Sequence, residues 1–126
     1  MRVLLDTHAL LWWLADDPRL SSAAANAIED GQSLAFVSAA SIWEIEIKRA
    51  KGALKAPDDV VEQVDAAGFD SLPINSDHAR AAGQLPRHHH DPFDRMLVAQ
   101  AFAERATLIT SDDAIAGYGV DLLSAG

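Results

Sequence analysis

Short, continuous apolar runs alternate along this chain with longer segments that mix Ala, Leu and charged residues, with turn residues between them. Apolar runs of this kind read as strands buried on both faces. Their alternation with helical segments predicts an α/β fold with a mostly parallel sheet. Residues 2–5 read as a strand and residues 8–15 as a helix stopped by Asp16-Asp17-Pro18. Ser21 or Ser22 caps an Ala-rich helix to about Glu29, with Gly31 just beyond. Residues 34–37 are a second strand; Ser38 or Ser41 then opens a helix to about Ala50, closed near Gly52. Pro57 and Asp58 start a helix that ends near Gly68, and residues 70–74 form a third strand. Ser76 caps a helix to Gly83, Asp91-Pro92 opens a longer one to about Arg105, and strands follow at Thr107–Thr110 and Val120–Leu123. No repeat, low-complexity tract or linker interrupts this pattern. A single domain over residues 1–126 is expected, with four to five short strands flanked by helices.

Composition narrows the picture. At 126 residues and 49% hydrophobic, the chain fits one folded core. It has no cysteine, which removes a disulfide framework and a thiolate zinc site. The longest apolar run, Ala9 to Ala15, is too short to cross a bilayer, and the start reaches Asp6 too early for a signal peptide. A cytoplasmic protein without membrane contact is the default expectation. The formal net charge of −9 argues against nonspecific coating of nucleic acid, which relies on Lys and Arg. It leaves a nuclease open, because part of that charge can belong to a cation site. Lys48, Arg49, Lys51 and Lys55 cluster, as either a phosphate track or a solvated helix end.

Four acids stand where a strand ends or a helix begins: Asp6, Glu44, Asp94 and Asp112. Strand carboxyl ends of a parallel α/β sheet share one edge, where such folds bind ligands. Two unit charges about 5 Å apart at an effective dielectric of about 20 repel by roughly 3 kcal/mol. A divalent cation that prefers oxygen ligands, Mg²⁺ or Mn²⁺, removes that cost. Each acid also has a plainer role. Asp6 can cap the following helix. Glu44 can form an exposed pair with Lys48, and it points away from Glu46 on the same helix. Asp91 reads as the N-cap before Pro92, which leaves Asp94 in the first turn to face the cluster, with Asp91 nearby. Of Asp112 and Asp113, one caps the next short helix and the other faces the site; Asp112, nearer the strand end, is favoured for the site. The hydroxyls of Thr7, Thr110 and Ser111 can hold waters or carboxylates around it. His88, His89 and His90 point in different directions if consecutive in a strand or helix, so they cannot together hold one ion; a loop before the helix cap is expected. Trp12, Trp13, Trp43 and Phe93 are expected in the core or at a dimer contact rather than as platforms for bases.

Taken in order, Asp6-Thr7-His8, Ser41-Ile42-Trp43-Glu44-Ile45 with Lys48, Leu85-Pro86 through His88-His89 to Asp91-Pro92-Phe93-Asp94-Arg95-Met96-Leu97-Val98-Ala99-Gln100-Ala101, and Leu108-Ile109-Thr110-Ser111-Asp112 closely resemble PIN-domain proteins. More narrowly they resemble the VapC-type ribonuclease toxins of toxin–antitoxin pairs, over nearly the whole chain. The resemblance implies a PIN-like three-layer fold and Mg²⁺- or Mn²⁺-dependent hydrolysis of RNA phosphodiesters. It puts the family's acids on Asp6, Glu44, Asp94 and Asp112, with Asp6 and Asp94 as metal ligands. It further implies a homodimer and an antitoxin whose tail enters the acidic site. Two rival readings stand beside it. One is a binding module whose acidic pocket receives a partner's Arg or Lys without turnover. The other is a phosphatase with an aspartyl nucleophile, for which the usual second Asp two residues on is replaced by His8.

Overall fold

The computed structural model describes residues 1–126. Five strands form one sheet: β1 (Arg2–Leu5), β2 (Leu34–Ser38), β3 (Asp70–Leu72), β4 (Thr107–Thr110) and β5 (Leu122–Ser124). Their order is β3-β2-β1-β4-β5, and every neighbouring pair is parallel. The helices are α1 (Thr7–Leu14), α2 (Ser22–Glu29), α3 (Ala39–Ala50), α4 (Val60–Ala66), α5 (Ser76–Gln84) and α6 (Pro92–Glu104), with a 3-10 helix at Asp113–Tyr118.

The central strand sets the layering. Its side chains alternate, and both faces are buried, so Val3 and Leu5 pack on one side while Leu4 packs on the other. Val3 and Leu5 meet Leu10 of α1, Ile28 of α2, Ile45 of α3 and Val60 and Val64 of α4. Leu4 joins Leu97, Val98 and Ala101 of α6 and Ile115 of the 3-10 helix. The same switch occurs in β4, where Ile109 belongs to the first cluster and Leu108 to the second. This three-layer arrangement explains why the strands read as unbroken apolar runs.

Several element boundaries differ from the sequence expectation, each for a local reason. Helix α1 starts at Thr7 because Asp6 Oδ1 accepts the Ala9 N–H and serves as its cap. The cap of α5 is Asn75 rather than Ser76: Asn75 and His78 exchange side-chain to backbone hydrogen bonds in a reciprocal box. The third strand stops at Leu72, just before Pro73. The last strand lies two residues later than expected, because Gly119 closes the 3-10 helix in a left-handed conformation (φ 74°) and the chain pairs with β4 only from Leu122. Helix α4 begins at Val60 rather than at Pro57 or Asp58.

Polar groups buried between β2, α5 and α6 form one relay. The Ser38 hydroxyl donates to Gln100 Oε1 (2.6 Å) and accepts from the Ala40 N–H. Gln100 Nε2 in turn lies 3.3 Å from both the Pro73 carbonyl and His78 Nδ1. Gln100 is fully buried, so each of these partners would lose its bond to no substitute. Gln100→Ala is therefore expected to cost about 2–4 kcal/mol, through a cavity and stranded polar groups, read as a lower midpoint in urea unfolding. A change below 0.5 kcal/mol, on the order of a surface substitution, would show that the relay carries no stability.

Candidate active site

The order of the sheet reverses direction at β1, which pairs with β2 on one side and β4 on the other. In open parallel sheets the crevice above such a point lies outside the strand carboxyl ends. Here it is a cleft of about 240 Å³ lined by Asp6, Thr7, His8, Glu44, Lys48, His89, Asp91, Asp94, Ser111 and Asp112, with no apolar residue among them. All four acids expected from the sequence meet in it. Asp6 follows β1 and Asp112 follows β4 by two residues, while Glu44 projects from α3 behind β2 and Asp94 from the first turn of α6.

Each carboxylate is held differently. Asp6 is buried; one oxygen accepts the Ala9 amide, as the cap geometry requires. Its pKa is raised, chiefly by burial, against the Thr110 hydroxyl and the Ala9 amide, which favour the charged form. Glu44 is only 5% exposed, which separates it from the solvent-facing pair that its i,i+4 spacing with Lys48 suggested. One of its oxygens accepts from the Thr7 hydroxyl and the other from Lys48 Nζ. That bond to Glu44 raises the Lys48 pKa, with further support from Asp91 and Asp94. Glu46 faces outward and pairs with Arg49 instead. Arg49 also donates to the carbonyls of Ala56 and Pro57, so the basic cluster splits: Lys48 serves the cleft and Arg49 ties down the chain after α3.

Asp91 caps α6 by accepting the amides of Phe93 and Asp94, and this directs Asp94 into the cleft. Asp112 both caps and faces the site. Its Oδ1 accepts the Ala114 N–H and its Oδ2 meets His89, whereas Asp113 is exposed. Burial would raise the Asp112 pKa, but His89 and the Ala114 amide outweigh it and the net shift is downward. Thr110 Oγ1 accepts the Asp112 amide, which fixes the turn out of β4. Ser111 lines the cleft and is exposed.

The residue that sequence reasoning missed is His89. Its Nε2 lies 2.7 Å from Asp112 Oδ2 and 3.2 Å from Asp94 Oδ2. These three groups are close enough together to hold a metal ion. Nδ1 accepts the Asp91 N–H (3.0 Å), so we assign the hydrogen of the neutral ring to Nε2, which donates into the acidic cleft. The two carboxylates, Asp112 first, pull the His89 pKa upward. A second N–H on Nδ1 would oppose the Asp91 amide, so this pose holds the neutral ring. Only half of this is local in sequence: a His two residues before a helix cap can reach forward to that cap's own amide, but the contact with Asp112 spans 23 residues. The loop is also latched. Tyr118 Oη accepts the His89 N–H, and Arg95 donates to the carbonyls of Ala82, Leu85 and Pro86. Of the aromatics, Trp12 and Trp13 pack against the core, and Phe93 does so partly. Trp43 does not: it is 61% exposed and meets Phe93 edge-on.

Crowding shows most at Asp94, whose pKa is pushed up to about 7, first by burial and then by Asp91, with His89 opposing and Glu44 and Asp6 adding. Between the ordinary carboxylate value and about 7, the folded chain binds a proton that the unfolded chain has released. This group's contribution to stability is therefore present at low pH and lost as pH rises toward 7. Such a donor set, partly protonated and rich in oxygen, fits a divalent cation. In EDTA, Asp94→Asn is expected to melt several degrees above the parent at pH 8, by calorimetry, with the difference shrinking as pH falls toward 4. A lower melting temperature at pH 8 would mean that Asp94 is not under electrostatic stress.

Comparison with known proteins agrees with this fold. Residues 3–120 match the PIN domain family. The chain is 36% identical over 118 residues to ribonuclease VapC22 of Mycobacterium tuberculosis, spanning 87% of this chain and 86% of that protein. Among solved structures, VapBC2 from Rickettsia felis, bound to a DNA fragment from its promoter, superposes with a TM-score of 0.76 at 16% identity, over 100% of both chains. DNA-bound VapBC from Salmonella typhimurium gives 0.73 at 15% identity, over 100% of this chain and 99% of the other. At these identities the two structures speak to the fold alone. The family match over most of the chain, and the VapC22 identity, go further: this chain belongs to the PIN-domain family.

Proposed function

We propose that the chain is a divalent-metal-dependent ribonuclease and the toxin of a toxin–antitoxin pair. The observation that carries this reading is the convergence of Asp6, Glu44, Asp94 and Asp112 on one wholly polar cleft at the reversal point of the sheet. The similarity to a protein named as a VapC ribonuclease supports RNA as the substrate. Asp6 and Asp94 would be the primary ligands for Mg²⁺ or Mn²⁺, with Glu44 and Asp112 contributing directly or through water. Bound there, the cation would neutralise the acids, polarise the scissile phosphate and acidify a water.

The remaining chemistry belongs to the chain itself. Amide donors fix Asp6 and Asp112, and Thr7 and Lys48 fix Glu44, so the carboxylates are aimed before substrate arrives. Lys48 Nζ and the His89 Nε2–H, with the His8 ring and the Ser111 hydroxyl beside them, are cleft donors that can turn toward a phosphate oxygen. No Ser, Cys or His nucleophile is required. The His89 ring, set between two carboxylates, also illustrates how a partner could silence the cleft. An antitoxin Arg, whose planar fork pairs with carboxylates, would compete for the same oxygens. We assign the toxin to the cytoplasm and expect it to act as a homodimer.

Purified protein with Mn²⁺ should cleave RNA, and Asp6→Asn or Asp94→Asn should each lower the rate at least about 100-fold while the fold persists. Retained activity in either variant would overturn the ligand assignment. Glu44→Gln should impair cleavage far more than Glu46→Gln, since only Glu44 enters the cleft; the reverse order would break the proposed site. Expression of the chain alone should arrest growth, and the protein encoded beside it should restore growth by direct binding. Harmless expression of an active nuclease would remove the toxin role and keep the enzymatic one.

A further inference from the structure

The acidic cleft has a neighbour of opposite sign. A second cavity of about 240 Å³ is lined by Gly83, Arg87, His89, His90 and Arg95. It contains no carboxylate and no apolar side chain, in a chain whose net charge is −9. His89 lines both cavities and is their common wall.

The cations around the second cavity divide into two kinds. Arg95 is committed, because its terminal nitrogens bind backbone carbonyls from Ala82 to His89. It shapes the wall and leaves its charge in place. Arg87 is exposed and takes part in none of the chain's ion pairs. His90 is exposed as well, and the mouth stays open at Gly83, where a Cβ would meet nothing within 4 Å. These groups do not serve the acids of the cleft; Lys48 pairs with Glu44 and the His89 N–H donates to Asp112 from inside it. Free N–H donors around an acid-free hollow call for an anion.

The proposed substrate of the adjoining cleft is a polyanion with one phosphate per nucleotide. With its scissile phosphate among the acids, the next phosphate along the strand needs a place free of carboxylates, and this cavity is one. We propose that Arg87 and His90, backed by Arg95, form a subsite for an RNA backbone phosphate next to the scissile one. The proposal rests on the ribonuclease reading. The Arg87 guanidinium can take two phosphate oxygens at once. Contacts of this kind fix the register of a strand and carry no base sequence.

A fluorescent oligouridylate octamer, bound to the full chain with Ca²⁺ and followed by anisotropy across a salt series, tests this directly. Arg87→Ala combined with His90→Ala should weaken binding about tenfold at low salt. It should also flatten the slope of log affinity against log salt by about 0.7 for each lost phosphate contact. Mn²⁺ affinity and the melting temperature should stay at parental values, Arg87→Lys should keep most of the salt slope with weaker binding than the parent, and Arg105→Gln, an exposed cation just past the far end of α6, should have no effect. Parental affinity and slope in the double variant would overturn the subsite. So would an equal loss in Arg105→Gln, or absence of octamer binding to the parent at low salt. If the double variant keeps RNA binding but loses the antitoxin, the cavity serves a protein partner and the proposal falls. Cleavage of RNA by the parent is scored separately. Cleavage with an unaffected double variant removes only the subsite, while octamer binding through Arg87 without any cleavage removes the nuclease reading.

Discussion

Like-charge repulsion at one edge of the sheet is the constraint around which this molecule is organised. Four carboxylates are driven together because β1, β2 and β4 are adjacent and parallel, which brings their carboxyl ends to the same rim. The chain relieves part of the strain with its own atoms. Lys48 compensates Glu44, the His89 N–H bridges Asp94 and Asp112, backbone amides hold Asp6 and Asp112, and a proton resides on Asp94 until the pH approaches 7. What is left is a cleft that favours any compact cation. The same electrostatics underlies both the proposed activating metal and the proposed inhibitory cationic side chain.

Holding those groups requires stiffness behind them, and the structure supplies it with polar contacts in an otherwise apolar interior. The Ser38–Gln100–His78 relay locks α5 and α6 to the end of β2. Arg95 gathers the carbonyls at the end of α5 and in the following loop, and Tyr118 holds that loop from the other side. The position of His89 therefore depends on groups contributed from α5, α6 and the 3-10 helix together.

Much of this was legible in the sequence because the relevant signals are local. Apolar runs such as Val3-Leu4-Leu5 report strands buried on both faces, and Asp91-Pro92 announces a helix start and, with it, the direction of Asp94. The acids were legible for the same reason: each lies beside an element boundary. Three features were not. His89 acts through the amide of Asp91 and the carboxylate of Asp112, a partner far away in sequence. The burial of Glu44 depends on Thr7 from another helix, so its helical spacing with Lys48 pointed to an exposed pair. Trp43 has the hydrophobicity of a core residue yet lies outside the core, and only the packing of α3 shows that.

The strand order has a consequence for biosynthesis. The first strand made becomes the middle of the sheet, and its second neighbour, β4, comes nearly last. Such long-range parallel pairing is slow and has no local substitute. Asp6 emerges before Asp112, and the β4 slot that shapes its side of the cleft exists only after β1, β2 and β3 have been made. A nascent chain thus carries an unfinished centre until β4 is made. Vectorial synthesis itself delays assembly of the acidic cleft until β4 has emerged.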